Sequence, residues 1–200
     1  MKKMNNKGFT LIELLAVITI MGILMMVAIP AVTRTIENSR RDTFATIAGE
    51  YLNAVRNSAL ADNIECFTGG AWTVASGTPD GTYYFPICTL AGKCTAITGS
   101  GAMDTSKIVS STDDLMESGG RSPFGNSDLE GYVTWTKTTD NSNADNPKTT
   151  TKYKILLNDV GKHGFSDETE AKDLKRSNVE TALTTVKSNV KSGAVVCKVS

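Results

Sequence analysis

The sequence predicts an α+β protein in which a long N-terminal helix, membrane-spanning in its first half, packs through its second half on an antiparallel β-sheet. Three observations predict it. Residues 9–33 hold one charged side chain, Glu13. A helical period of apolar residues continues from there to about Ala61. Beyond Asp62 the composition shifts to Gly, Thr, Ser and Asn with short alternating runs, the pattern of strands joined by turns.

The N-terminal element comes first. Residues 14–32 are apolar apart from Thr19, Gly22 and Pro30. At about 1.5 Å per residue a helix of this length spans roughly 30 Å of hydrocarbon, enough to cross a membrane. Ahead of it, residues 1–8 (Met-Lys-Lys-Met-Asn-Asn-Lys-Gly) form a basic leader with no acid. A secretory signal cut after Ala31 and a plain membrane anchor both fit the basic start and the apolar run. Neither accounts for Glu13, because an acid inside a span costs about 2.5–3.5 kcal/mol at its centre and calls for a partner.

A third reading supplies that partner. Lys7-Gly8-Phe9-Thr10-Leu11-Ile12-Glu13 closely resembles the processing site of type IV pilins and their relatives, the pseudopilins of secretion and DNA-uptake systems. The resemblance implies a pilin-like fold. It also implies a membrane peptidase that cuts between Gly8 and Phe9 on the cytoplasmic side and methylates the new amino terminus. Gly22 and Pro30 stand where the family's first helix carries a glycine and a proline. The match covers about the first 25 mature residues and is much looser downstream.

The physics of such a segment stands apart from the name. Cleavage gives Phe9 a cationic amine, and methylation keeps the charge. Phe9 and Glu13 then carry opposite charges one helical turn apart. In a staggered stack of identical helices, Glu13 of one subunit meets the Phe9 amine of the next, and a wrong register leaves both charges unpaired. The pair sets register, while cohesion comes from the apolar stripe. Lysines 2, 3 and 7 before the span nearly balance Arg34, Arg40 and Arg41 after it, so the positive-inside rule leaves orientation open. The processing site places the leader in the cytoplasm.

Three segments follow: a leader at 1–8, an apolar filament-core helix at 9–33, and an extracellular head at 34–200 that includes the rest of the helix. Apolar residues from Val32 through Phe44, Tyr51 and Val55 to Ala59 recur at three- and four-residue steps. Counted from Phe9 to Ala61, the helix has 53 residues, about 80 Å. Gly22 and Pro30 lower its stability and mark where it can loosen.

In the head, residues 71–75 and 82–88 read as strands and 112–118 as a capped helix closed by Gly119-Gly120. Residues 121–125 read as a turn. The clearest strands are 131–138, with Val133 and Trp135 on one face, and 152–158, with Tyr153, Ile155 and Leu157 on one face. Between them 139–151 reads as a solvated hairpin loop. Residues 166–176 read as a polar helix with acids at its start. Asn178 is placed as the cap of another, with Val179, Leu183, Val186 and Val190 on one face, ended by Gly193. Residues 194–199 form the final strand.

Four cysteines on the part expected outside the cell suit disulfides, and three connectivities are open. The preferred one joins Cys88 to Cys94 across a short loop and Cys66 to Cys197. It departs from the many family members that bracket a C-terminal loop with two cysteines. The one histidine, His163, is expected on a surface loop. Asp159, Asp167, Glu168 and Glu170 are the candidate calcium set, an ion some pseudopilins bind. They lack the alternate spacing of an EF-hand loop and read better as a solvated helix start. Arg40-Arg41 reads as an exposed helix face, or else as a contact to acids of a neighbouring subunit.

The chain's 21 basic and 21 acidic side chains argue against a nucleic-acid packager, and no specific nucleic-acid partner is expected. Enzyme function is not expected either, since there is no Gly-x-Ser-x-Gly, P-loop, paired-His or dinucleotide motif; no metal or cofactor is assigned. Loss of Lys2, Lys3 and Lys7 with the leader leaves 18 basic against 21 acidic side chains, a net of −3. The expected function is that of a type IV pilus subunit, with a type II secretion or DNA-uptake pseudopilin and a secreted or anchored binding domain as alternatives. The resemblance implies as partners the prepilin peptidase, the pilus assembly platform, minor pilins, the membrane before assembly, and copies of the chain in a helical filament on the cell surface.

Overall fold

A computed structural model describes residues 9–61, 63–68, 71–74, 79–88, 121–125, 128–143, 146–159, 162–183, 187, 190 and 194–199. The chain divides into two compact units, Met1–Ser39 and Arg40–Ser200. One helix, α1 (Leu11–Leu60), contributes to both and ends one residue short of the expected boundary.

In the first unit α1 runs unbroken through Gly22 and Pro30. Its threonines do not stand as free polar groups. The hydroxyl of Thr19 donates to the Ala16 carbonyl at 2.8 Å, that of Thr33 to Ile29 at 3.1 Å and that of Thr35 to Ala31 at 3.0 Å. Such local bonds absorb a hydroxyl where no water is at hand.

In the second unit, α1 buries Phe44, Ala45, Ala48, Tyr51, Leu52 and Val55, the three- and four-residue spacing of a single helix face. This face packs on a seven-stranded sheet. The strands are β1 (Ile64–Thr68), β2 (Ala71–Val74), β3 (Gly81–Cys88), β4 (Glu130–Asp140), β5 (Lys148–Asn158), β6 (Thr169–Glu170) and β7 (Val195–Val199). Their order is β2-β1-β7-β3-β4-β5-β6. Neighbours run antiparallel except β3 and β7, which pair in parallel through Tyr83 with Val195 and Tyr84 with Val196. The sheet is therefore mixed at one position, because the C-terminal strand slots in between β1 and β3.

Period-two alternation decides the two faces. Tyr83, Phe85, Ile87, Val133, Trp135, Ile155 and Leu157 join the helix in one core, as expected for the faces of β4 and β5. Tyr84, Tyr132, Leu156 and Val196 gather on the opposite face with Val190. Gly131, at φ +154, sits where a Cβ would overlap the Leu156 carbonyl across the β4–β5 ladder, so the close strand approach requires glycine there.

Several expectations need correction. The hairpin loop shortens to residues 141–147, because β4 and β5 stay paired out to Asp140 and Lys148. Residues 166–176 are not an α-helix: Lys154 and Ile155 of β5 pair with Glu170 and Thr169, and two short 3-10 turns, Ala171–Asp173 and Arg176–Asn178, follow. The helix expected after Asn178 is absent over its described first residues. Glu180 exchanges backbone hydrogen bonds with Gly164, at 2.8 and 3.0 Å, and the Leu183 N–H donates to the Lys162 carbonyl at 2.8 Å. These distant partners occupy backbone groups a helix would need. Val179, Leu183 and Val190 are nonetheless buried. β1 was not anticipated, although Ile64-Glu65-Cys66 alternates. The expected helix at 112–118, Cys94 and the leader at 1–8 lie outside the described residues.

Candidate assembly segment and head contacts

Every large apolar side chain from Phe9 to Ile36 is at least 46% exposed. The most apolar 18-residue window of α1 has a mean hydropathy of 2.6 with none of it buried, so this is a helix long and apolar enough to cross a membrane. Such a surface is far larger than the apolar patches of soluble monomers and demands lipid or protein against it.

At its start, Thr10 and Glu13 bond reciprocally. The Thr10 N–H and hydroxyl donate to Glu13 Oε2 at 2.9 and 2.8 Å, and the Glu13 N–H reaches Thr10 Oγ1 at 3.4 Å. This is a capping box, in which the first helical turn satisfies donors that otherwise have no partner. Its signature, Thr-x-x-Glu before an apolar run, is plain in the sequence, and the same Glu13 that is expected to meet a neighbouring subunit bonds here to its own helix. Chemically, the arrangement holds a carboxylate beside the place where cleavage after Gly8 would create an amine. Gly22 has open space around its Cα, so a neighbouring backbone can approach there.

In the head, Cys66 and Cys197 form a disulfide between directly paired residues of β1 and β7, 131 positions apart along the chain. The structure thus carries the long-range member of the expected pairing. Cys88 closes β3, and its partnership with Cys94 falls outside the described side chains.

His163 is not a free surface histidine. Its ring stacks on Phe124, with centroids 4.1 Å apart and planes 4° from parallel, and its Nδ1 lies 2.9 Å from Asp159 Oδ2. The acids weighed as a calcium set, and read instead as a solvated helix start, are engaged separately. Asp159 turns inward, Glu168 accepts from the Tyr132 hydroxyl at 3.1 Å, and Glu170 pairs with Lys172 at 2.8 Å. That bond and charge hold the Glu170 carboxyl below its usual range and raise the Lys172 ammonium. Arg41 is half-buried and donates to the Thr181 hydroxyl at 3.3 Å, while Arg40 is exposed; the pair does not form one exposed face.

One comparison with known proteins bears directly on the same segment. Residues 3–29 match the family model of the prokaryotic N-terminal methylation motif. The chain is 39% identical over 72 residues to a fimbrial protein of Moraxella nonliquefaciens, covering 36% of this chain and 46% of the relative. It is 40% identical over 83 residues to the type IV major fimbrial protein FimA of Dichelobacter nodosus, covering 37% and 49%. The chain thus spans about half the length of the curated relatives it matches. No solved structure matches it. Family model and fimbrial relatives together support what Lys7–Glu13 resembles: residues 3–29 carry the prokaryotic N-terminal methylation motif, and the chain is similar over part of its length to type IV fimbrial proteins.

Proposed function

We propose that the chain is a structural subunit of a type IV pilus. The observation that carries the reading is an uncovered apolar helix that begins at a methylation motif and places one carboxylate, Glu13, in its first turn. The precursor sits in the membrane with residues 1–8 in the cytoplasm, prepilin peptidase cuts after Gly8, and Phe9 is methylated. The assembly platform then draws the subunit into a surface filament, with minor pilins as accessory partners. The segment 9–33 forms the filament core, Glu13 meets the Phe9 amine of the next subunit, and Gly22 and Pro30 mark where the helix loosens on packing.

In this reading Thr10 keeps the Glu13 carboxylate engaged until the neighbouring amine arrives, so the acid never faces hydrocarbon without a donor. Mass spectrometry of the mature N terminus tests the processing step: methylated Phe9 is the expected residue, and an N terminus at Val32 overturns the proposal. Glu13→Ala is expected to insert into the membrane normally and to assemble poorly. Undiminished filament yield from that variant would refute the register role.

A further inference from the structure

α1 enters the head beside the segments that precede β4 and follow β5. Its Phe44 meets Phe124 and Phe165 at 6.1 and 6.0 Å between ring centroids, and Phe124 stacks on His163. Three cations flank this aromatic contact. Arg40 lies about one helical turn before Phe44, on the same side of α1; Arg121 opens the segment 121–125 that holds Phe124, and Lys162 precedes His163. All three side chains are exposed and make no hydrogen bond or ion pair among the described residues. The acids of this end are mostly engaged. Asp159 is buried against His163, Asp42 pairs with Arg176 at 3.3 Å, and Glu180 accepts the Ser166 hydroxyl at 2.6 Å. Asp128, half-buried just before β4, has no bond among the described residues, so the free cations still outnumber it.

We propose that this end of the head docks on the phosphodiester headgroups of anionic lipids while the subunit waits in the membrane. The inference rests on the reading of residues 9–33 as a membrane span in the precursor. That span closes at Thr33, seven positions before Arg40, and seven residues reach no more than about 25 Å even fully extended. The entry end of the head is therefore tethered near the bilayer surface. Lys148, by contrast, starts β5 and lies about 35 Å along that strand from Asn158, an exposed cation of the same kind without the short tether.

The chemistry of the patch suits a lipid surface. The guanidinium forks of Arg40 and Arg121 match phosphate oxygens, and Lys162 adds a charge without a geometric demand. A cation near an anionic bilayer is held there about fivefold more strongly than near a neutral one. Between the charges Pro123 and Phe124 are half-buried, an apolar element that the headgroup boundary accommodates. The cations flank an aromatic contact and form no continuous track, which favours separate, mobile headgroups over a nucleic acid whose charges are fixed in line. Docking holds the head while its span is in lipid and ends when the subunit is drawn out, because the headgroups stay behind.

The test places the full chain in nanodiscs of phosphatidylcholine, alone or with about one-third phosphatidylglycerol as the anionic lipid. Lys162 is labelled with succinimidyl acetate and Arg121 with phenylglyoxal, both uncharged reagents, and mass spectrometry reads the rates. In anionic discs both rates are expected to fall about fivefold with that of Lys148 unchanged. Sodium chloride at about 1 M, which shortens the Debye length to about 3 Å, should restore them. Arg40→Gln with Arg121→Gln should abolish the protection of Lys162; both positions are exposed, and circular dichroism checks that the variant folds. The proposal is overturned if Lys162 reacts equally in the two kinds of disc, if Lys148 is protected as strongly, or if the double variant stays protected. It is overturned as well if soluble glycerol phosphate or a short DNA duplex, added to phosphatidylcholine discs, protects Lys162 as the anionic lipid does. A chain that enters neither disc removes the span and the proposal with it. Absent docking in an inserted chain leaves the pilus reading standing, since the methylated Phe9 terminus tests that separately.

Discussion

The Nδ1 of His163 lies 2.9 Å from Oδ2 of Asp159, a carboxylate with no exposed surface. The same carboxylate accepts the His163 backbone N–H at 2.6 Å and the Ser122 hydroxyl at 2.7 Å. Ser122 Oγ in turn accepts the Phe124 N–H at 3.2 Å. Phe124, stacked on the imidazole, also meets Phe44 of α1 at 6.1 Å between ring centroids. One buried acid therefore ties the turn at 121–125, the end of β5 and the long helix into a single knot.

Removing that acid should be costly. In Asp159→Ala the Ser122 hydroxyl and the His163 N–H lose their acceptor inside the protein, at a cost of about 2–4 kcal/mol for stranded buried donors. His163→Phe keeps an aromatic ring against Phe124 and removes one of the carboxylate's donors, so its loss should be smaller. Thermal unfolding followed by near-ultraviolet circular dichroism ranks the two. A midpoint for Asp159→Ala equal to that of the parent would show that the knot is dispensable.

Thr10→Ala should fray the start of α1. It removes the side-chain half of the cap and a donor to Glu13, worth about 1 kcal/mol, which corresponds to roughly fivefold faster amide exchange over Leu11–Glu13. Thr10→Ser should restore the parent rate. Equal exchange in Thr10→Ala and the parent, measured in micelles, would mean that the reciprocal bonds contribute nothing.

The parts legible in the sequence are those where one period dominates. The stripe from Phe44 to Val55 and the alternation of Val133 with Trp135 each have one solution, and both stand in the structure. Legibility fails where two patterns fit the same residues. Acids at 167, 168 and 170 suit a helix start, yet Thr169 and Glu170 pair with β5 because that strand still has an open edge there. Val179, Leu183 and Val190 are spaced for a helix face, but burial was all that their spacing encoded. The parallel β3–β7 pair depends on contacts between distant segments, which local periodicity does not carry. Asp159 and His163, four apart and polar, gave no sign that one is wholly buried.

The Cys66–Cys197 bond should account for a large share of head stability. It closes a loop of 131 positions, for which chain entropy assigns about 4–5 kcal/mol. Both residues are buried, at 2% and 1% exposure, so reductant should act only after unfolding. Cys66→Ser with Cys197→Ser is expected to lower the unfolding midpoint strongly, and reductant is expected to lower that of the parent only when present through the melt. A double variant melting with the parent would show that the β1–β7 ladder holds without its covalent tie.

Asp80 should confer an acid-sensitive component of stability. Its carboxylate lies at the start of β3 and accepts the Thr139 N–H at 2.6 Å and the Thr139 hydroxyl at 2.8 Å. The backbone bond first, then the hydroxyl, holds the Asp80 carboxyl below its ordinary range. A carboxyl depressed in the folded state releases its proton more readily there than in the unfolded chain. Its contribution is therefore complete above the unfolded value of about 3.9 and is lost as pH falls through the lower folded value. Asp80→Asn should be less stable than the parent at pH 7, and the gap should begin to shrink below about pH 4 and close only once the pH has fallen through the lower folded value, where the parent's acid is protonated in both states. Unfolding midpoints of the two proteins between pH 2.5 and 7 provide the measurement. A gap that stays constant across that range would show that the Asp80–Thr139 clip contributes nothing through its charge.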